Sequence, residues 1–343
     1  MQFTDILLHW YIDNQRSLPW RGERDVYKVW VSEIILQQTR ISQGWNYYLH
    51  FIEAFPNVKA LAKAKEEEVL RVWQGLGYYS RARNMRAAAQ SIMEQHGGVF
   101  PQDYDSVRKL KGIGDYTAAA ICSFAYGLPY PAVDGNVLRI ISRVFGIHDN
   151  IMDTSTKKKI TELCHKLMAD VNPSDFNQAL MDFGSLQCIP KNPPCEQCPL
   201  NNECYAFKND EVEILPVSIK KPQIKDRFFH FYVCTQEEHI FIEKRTEEDI
   251  WKGLFQLPMK ETKDNKQLKH KLLYQTKHQL THQTIHAFFY DMPDSKKLPA
   301  PAGQRLTVPL SELGNYAFPQ LIVKFFNKLR IVNCKISHYE EED

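Results

Sequence analysis

The sequence predicts two domains, an all-α domain over residues 1–207 and an α+β domain over residues 228–343, joined by a linker at 208–227. Three observations carry this. Apolar residues recur at a period of 3.6 up to about residue 206, the pattern of helices that bury one face. From 208 to 227 the texture changes to KNDEVEILPVSIKKPQIKDR, which is charged and interrupted by Pro216 and Pro222, as linkers are. Beyond it the apolar positions alternate, the period of half-buried strands.

In the first domain the periodicity places helices at about 2–14, 26–39, 42–54, 66–73, 80–95, 104–109, 115–126, 134–145, 155–170 and 175–186. In the second, FFHFYVCT (228–235) and HIFIEK (239–244) read as a strand pair, and DNKQLKHKLLYQ (264–275) reads as a helix. THQTIHAFFY (281–290) reads as a further strand and 318–330 as a closing helix, with the tail HYEEED frayed.

Composition excludes little. A chain of 343 residues, 43% hydrophobic and 24% charged, has room for two or three cores. Its start, MQFTDILLHWYIDNQ, lacks a basic leader and carries Asp5, His9 and Asp13 through its apolar part, so it reads as an amphipathic helix and not a signal peptide. The longest uncharged run, Tyr116 to Val133, contains Gly127, Pro129 and Pro131, which fit a buried helix and turn rather than a membrane span. Net charge is +2, so any case for nucleic acid has to rest on local sites.

Four cysteines, Cys188, Cys195, Cys198 and Cys204, make a C-x6-C-x2-C-x5-C pattern. Thiolates select zinc or iron–sulfur clusters. Structural zinc sites usually present two short ligand pairs, whereas here only the middle pair is short. The wider embrace favours a [4Fe-4S] cluster over a single zinc ion. The other cysteines (Cys122, Cys164, Cys234, Cys334) are scattered and fit a reduced compartment.

Several constellations could carry chemistry. LKGIGDYTA (110–118) places Gly112 and Gly114 in a tight hairpin before a helix opened by Asp115, with Lys109 and Lys111 beside it. Exposed amides at a helix start can hold a phosphate, though an ordinary helix–helix turn reads the same way. Asp134 precedes the apolar run 137–141, where helix capping by itself explains it without any chemistry. Glu33 interrupts a strongly apolar helix between Trp30, Ile34 and Leu36. A carboxylate there is costly unless paired or functional; it is either a general acid with a raised pKa or half of an ion pair with Arg21 or Arg40. GLGYYSRARNMR (75–86) combines Tyr78 and Tyr79 with Arg81, Arg83 and Arg86, which suits stacking on bases and holding phosphates, or a solvated helix start.

Taken together, LPWR (18–21), VSEIILQQTR (31–40), GLGYYSRARN (75–84), LKGIGDYTA (110–118), VDGNV (133–137), ALMDFG (179–184) and the cysteine quartet closely resemble the MutY family of adenine DNA glycosylases, in the helix–hairpin–helix superfamily that also holds endonuclease III. The resemblance implies an α-helical glycosylase domain with an iron–sulfur loop, followed by an α+β, Nudix-like domain. It implies that duplex DNA is gripped at Lys111, Gly112 and Gly114, and that an adenine mispaired with 8-oxoguanine or guanine is flipped into a pocket. Glu33 takes the position of the acid that protonates the adenine ring, and Asp134 that of the carboxylate that stabilises or captures the sugar cation. Tyr116 and Asn136 match supporting positions. Trp20 falls within the LPWR motif; Arg21 and Asp182 match residues near the flipped adenine, and Gln38, Thr39, Leu76 and Tyr78 match residues at the lesion strand. Relatives that cleave the strand carry a lysine nucleophile where this chain has Tyr116, which implies a monofunctional enzyme.

The second domain resembles the domain with which this family recognises 8-oxoguanine. WKGLFQLP (251–258) matches its characteristic turn, and no R-E-x-x-E-E run follows, so binding without nucleotide hydrolysis is implied. Leu280-Thr281-His282 takes the place of the family's Phe-Ser-His element; the hydroxyl is kept and the aromatic lost, leaving Thr281 and His282 as the implied lesion contacts. The resemblance further implies a monomer working in the bacterial cytoplasm. Two rivals are an endonuclease III-like glycosylase/lyase, opposed by Tyr116, and a non-catalytic iron–sulfur DNA-binding or electron-transfer protein, opposed by the pairing of Glu33 with Asp134.

Overall fold

The computed structural model describes residues 3–219, 224–246, 248–265, 268–301 and 303–329. Among the described residues twelve helices come first: α1 (Phe3–Asn14), α2 (Val26–Leu36), α3 (Ile41–Ala54), α4 (Val58–Lys63), α5 (Glu66–Val72), α6 (Ser80–Gln95), α7 (Tyr104–Lys109), α8 (Asp115–Tyr126), α9 (Gly135–Phe145), α10 (Thr154–Met168), α11 (Pro173–Leu186) and α12 (Tyr205–Lys208). Eight strands follow among the described residues: β1 (Lys225–Val233), β2 (Thr235–Gln236), β3 (His239–Lys244), β4 (Phe255–Gln256), β5 (Met259–Thr262), β6 (Leu272–Gln279), β7 (Gln283–Asp291) and β8 (Arg305–Pro309), and α13 (Gln320–Lys328) is the last described helix. No helix among the described residues is long and apolar enough to cross a membrane.

The chain forms two compact units, Met1–Ala62 with Ala87–Lys220, and Lys63–Arg86 with Lys221–Asp343. Residues 63–86 therefore group with the second unit, although sequence places them inside the first domain.

In the first unit, α2 packs on α8 and α3, and α11 packs on α1, α8 and α9. Phe3, Leu7, Ile140, Ile141, Val144, Ile160, Phe176 and Phe183 form one buried cluster with Leu200 and Leu215. Gly184 matters here, because a Cβ on it would lie 2.6 Å from the Cβ of Asn136. Glycine is what lets α11 approach α9 this closely.

Half of the expected linker belongs to this unit. The Ile151 amide donates to the Val217 carbonyl (3.0 Å), Arg143 Nε donates to the Leu215 carbonyl (2.9 Å), and Leu215 is buried. Its charged surface composition hid a single anchoring side chain. The last three positions of the expected linker, 225–227, already belong to β1, which begins at Lys225.

In the second unit, one sheet has the order β5-β1-β7-β6, with β1 parallel to β7, and the other joins β2, β3, β4 and β8. Phe229, Phe231 and Phe289 meet Ile240, Ile242 and Val308 in one core, covered by Phe318, Leu321, Ile322 and Phe325. Two expectations fail. The segments 228–235 and 239–244 do not form one strand pair: β3 pairs with the short β2, while β1 lies in the other sheet. The expected helix at 264–275 is not seen among the described residues; its last four residues, 272–275, open β6, which pairs antiparallel to β7. The intermediate and exposed positions of β6 follow from its place at the sheet edge, where strand pairing overrides the local charge pattern. The tail 338–343 lies outside the described residues.

Candidate active site and cysteine pocket

α2 begins at the N-cap Asp25, whose carboxylate accepts from the Tyr27 amide (2.9 Å). It ends at Leu36 and not at residue 39, because Gln38 takes a left-handed backbone (φ +57°). The first face of α2 carries Glu33 into a cleft of about 480 Å³ lined also by Arg21, Gln38, Tyr116, Asp134 and Gln178. That volume lies within the range of small-ligand sites.

Glu33 is 7% exposed. Its partner is neither Arg21 nor Arg40: the Tyr116 hydroxyl donates to Glu33 Oε2 at 3.0 Å. Burial pushes the Glu33 carboxyl up to about 7, against the opposing hydrogen bond from Tyr116. Burial and the neighbouring Glu33 carboxylate hold the Tyr116 phenol well above its ordinary value, so Tyr116 remains a proton donor.

Arg21 instead donates to Gln178 Oε1 (2.5 Å) and to Asp182 Oδ1 (2.7 Å). Asp182 is fully buried and also accepts from Arg16 Nε (2.8 Å), Arg16 Nη2 (2.6 Å) and the Arg16 amide (3.1 Å). A buried carboxylate needs such compensation, and this one ties the 16–21 segment to α11 beside the cleft. Trp20 packs edge-on against Tyr48 and lines the same cleft.

Asp134 has both of its sequence readings at once. Its carboxylate caps α9, accepting from the amides of Asn136 (2.8 Å) and Val137 (2.9 Å), and it also faces the cleft. Burial raises its carboxyl above the ordinary value while these donors pull it down. Asn136 Nδ2 donates to Asp134 Oδ2 (2.9 Å), and Arg139 Nη2 donates to Asn136 Oδ1 (2.9 Å). Arg139 Nε reaches the Cys188 carbonyl (2.9 Å), so side chains link the cap to the cysteine loop.

Sequence reasoning missed Arg16, Gln178, Arg139 and Arg143. Arg139 and Arg143 were detectable, being cations four apart in an otherwise apolar helix. Both are buried, at 8% and 3% exposed.

The hairpin 110–114 turns at Gly112 (φ +83°), where glycine is required. Gly114 differs from expectation, because its backbone is extended (φ −93°) and a Cβ there would meet nothing within 4 Å. The fold does not need glycine at 114. Lys111 stands exposed at the turn, and Arg108 pairs with Asp115 to close the hairpin.

In the second unit, Leu76 and Tyr78 lie in the 73–79 loop, and the Tyr78 hydroxyl is hydrogen-bonded to Thr281 Oγ1. Thr281 and His282 sit in the tight β6–β7 turn, where the Leu280 amide donates to the Gln283 carbonyl (2.8 Å). Thus two residues expected at the lesion strand, 203 positions apart in sequence, share one hydrogen bond. Thr39 follows α2 in the first unit and is held at its own turn, its hydroxyl on the Gln37 carbonyl (3.4 Å).

Cys188, Cys195, Cys198 and Cys204 line one apolar pocket with Val144, Phe183, Leu200 and Phe207. Among the described residues no three His, Cys, Asp or Glu side chains come together as ligands of a single ion. Four cysteines around one apolar pocket are a donor set that suits a thiolate-bound group. Arg143 braces the ring, donating to the Ile189 carbonyl (2.8 Å), the Pro190 carbonyl (3.0 Å) and Cys188 Sγ (3.5 Å).

Residues 31–169 match the model of the HhH-GPD superfamily of base excision DNA repair proteins, and residues 229–328 match the NUDIX domain. A solved thermostable thymine-DNA glycosylase superposes with a TM-score of 0.56 at 28% identity, over 60% of this chain and 95% of that one. An endonuclease III–DNA complex has the same fold, with a TM-score of 0.53 at 22% identity over 60% of this chain and 94% of its own. The fold and site define a helix–hairpin–helix base excision repair protein. The adenine DNA glycosylase of Buchnera aphidicola subsp. Schizaphis graminum is 36% identical over 86% of this chain and 91% of its own. The human adenine DNA glycosylase is 40% identical over 63% of this chain and 41% of its own. The chain belongs to the adenine DNA glycosylase family.

Proposed function

We propose that this protein is a monofunctional glycosylase that binds duplex DNA as a monomer and hydrolyses the N-glycosidic bond of adenine paired with 8-oxoguanine or guanine. The observation that carries the reading is Glu33, a carboxyl buried in a cleft and raised to about 7, facing the same space as a second, capped carboxylate at Asp134. Divided roles for two carboxyls are what glycoside hydrolysis requires.

Glu33 in its acid form gives a proton to a ring nitrogen of the flipped adenine. The C1′–N9 bond then breaks with its electron pair leaving on a neutral base. Asp134 lies against the developing sugar cation, with Asn136 and Arg139 fixing its orientation. Water adds at C1′ and loses its proton, leaving an abasic sugar. Tyr116 holds the Glu33 carboxyl in place and offers no amine, so it forms no Schiff base with the sugar as a lysine there would. Arg21, Trp20 and Asp182 shape the base pocket; Gln38, Thr39, Leu76, Tyr78, Thr281 and His282 face the lesion strand; and the amides at Gly112 and Gly114, with Lys111, hold a backbone phosphate.

The four cysteines would hold a [4Fe-4S] cluster, which supplies a rigid thiolate-bound anchor for the 188–204 loop and, in principle, one-electron chemistry. Cys188 would tie that anchor to Asp134 through Arg139 and Asn136.

Base release from duplexes with adenine opposite 8-oxoguanine, guanine or cytosine tests the reading. Release opposite the first two without strand cleavage in the absence of alkali is expected. Equal release opposite cytosine, or alkali-independent cleavage, contradicts it.

A further inference from the structure

We propose that a second cavity of the helical unit is an exit subsite for the freed purine base, through which adenine leaves while the duplex is still bound. The inference rests on the adenine-releasing reading above. The cavity has a volume of about 330 Å³, within the small-ligand range, and shares Arg21, Glu23, Phe124 and Gln178 with the Glu33 cleft. The same side chains therefore wall both spaces. Its outer lining includes Gln15, Arg24, Asn172 and Asp175, all exposed, so the cavity joins the wall of the cleft to solvent. None of the residues placed at the lesion strand or at the backbone phosphate lines it.

The reaction calls for such a passage. A flipped nucleotide enters the cleft from the duplex, and its own strand then closes the way in. Once the C1′–N9 bond breaks, the base is caught between that strand and the protein, and its escape becomes a step of its own.

The partition is built to open. Arg21 Nη1 donates to Gln178 Oε1 across it (2.5 Å). When that bond parts, neither side chain is left without partners. Gln178 keeps the Tyr11 hydroxyl on Oε1 (3.2 Å) and Ser174 Oγ under its Nε2 (2.7 Å), and Arg21 keeps Asp182 Oδ1 (2.7 Å). Tyr11 and Ser174 both line the second cavity, so Gln178 is anchored from that side.

The walls suit a flat base. Arg21 Nε is enclosed and donates to no described residue. A buried donor left unanswered is costly, and a purine ring nitrogen is an acceptor that would satisfy it. The Arg21 guanidinium lies over the Tyr11 ring, 5.9 Å from its centroid, which gives the cavity planar surfaces. The carboxylates of Glu23 and Asp175 can accept from the exocyclic amine of adenine.

The test uses the full chain, a duplex with radiolabelled adenine opposite 8-oxoguanine, and Gln15→Trp, which sets a large ring at the exposed mouth of the cavity. Under single-turnover conditions, strand breaks after alkali read bond cleavage. Label lost from protein–duplex complexes held on a filter reads escape of the base. Wild type should lose label as fast as it cleaves, with the duplex still bound. Gln15→Trp should cleave within about twofold of wild type and lose label about tenfold more slowly. Equal escape from both proteins, or label that leaves wild type only as the duplex dissociates, overturns the proposal. Thermal unfolding checks the variant, and Ser174→Leu gives the same two readouts if Gln15→Trp unfolds early. Absence of cleavage by wild type would sink the adenine reading and the exit with it, whereas equal escape sinks the exit alone.

Discussion

Glu33 is the residue on which the chemistry turns, and its environment predicts how it titrates. A general acid must be protonated, so base release should fall as pH rises through about 7. Tyr116 donates to the charged carboxylate and so stabilises that form. Tyr116→Phe should therefore move the falling limb of the pH–rate profile upward; a limb that stays put or moves down would show the bond to be unimportant.

The same shift has a consequence for stability. A carboxyl with a raised pKa binds more protons folded than unfolded, so its contribution is lost as pH climbs from 4.5 toward 7. Glu33→Gln should leave stability near pH 4 little changed and raise it at pH 8, by up to roughly 3 kcal/mol. Denaturant unfolding at the two pH values checks this. Sequence exposed Glu33 because an acid in an apolar helix is conspicuous. It misassigned the partner because Tyr116 lies 83 positions away, on another helix.

At the scale of the element, Asp134 joins a cap to a candidate catalytic group, and one substitution separates them. Asparagine caps helices about as well as aspartate. Asp134→Asn should keep the melting temperature close to wild type and lose most base release; a large drop in melting temperature would show that the cap needs the charge. The hairpin offers a similar separation. Gly114→Ala meets no steric obstacle in the folded protein, so it should fold normally and bind DNA more weakly. Gly112→Ala, at φ +83°, should cost about 1 kcal/mol of stability as well.

Helices such as α7 and α8 were legible because periodicity agrees with a cap at one end, Asp103 before α7 and Gly127 after α8. The strand β6 was not. Its first residues, 272–275, follow the lysine-rich stretch 264–271 and read with it as one helix, and only pairing with β7 fixes it as a strand. Two site residues, Tyr78 and Thr281, could be named from motifs, but their hydrogen bond depends on tertiary placement that no local pattern encodes.

At the scale of the molecule, the division into a helical unit and a two-sheet unit follows from the change in period after residue 220. Its irregularities do not: residues 63–86 group with the second unit, and residues 209–219 anchor to the first through Leu215. Both depend on a few buried contacts within otherwise polar segments. The cysteine quartet was the plainest signal in the chain, and its pocket is built from the loop after α11 and from α9. Natively purified protein should contain about four iron atoms per chain, and Cys198→Ser should lose iron and melt earlier. Stoichiometric zinc without iron would refute the cluster.

The central claim is that Glu33 supplies the proton that releases adenine. Single-turnover base release from a duplex with adenine opposite 8-oxoguanine, by wild type and Glu33→Gln at equal occupancy, tests it most directly. The expected result is release by wild type and none detectable by the variant, with duplex affinity retained. Release by Glu33→Gln at the wild-type rate would contradict the assignment.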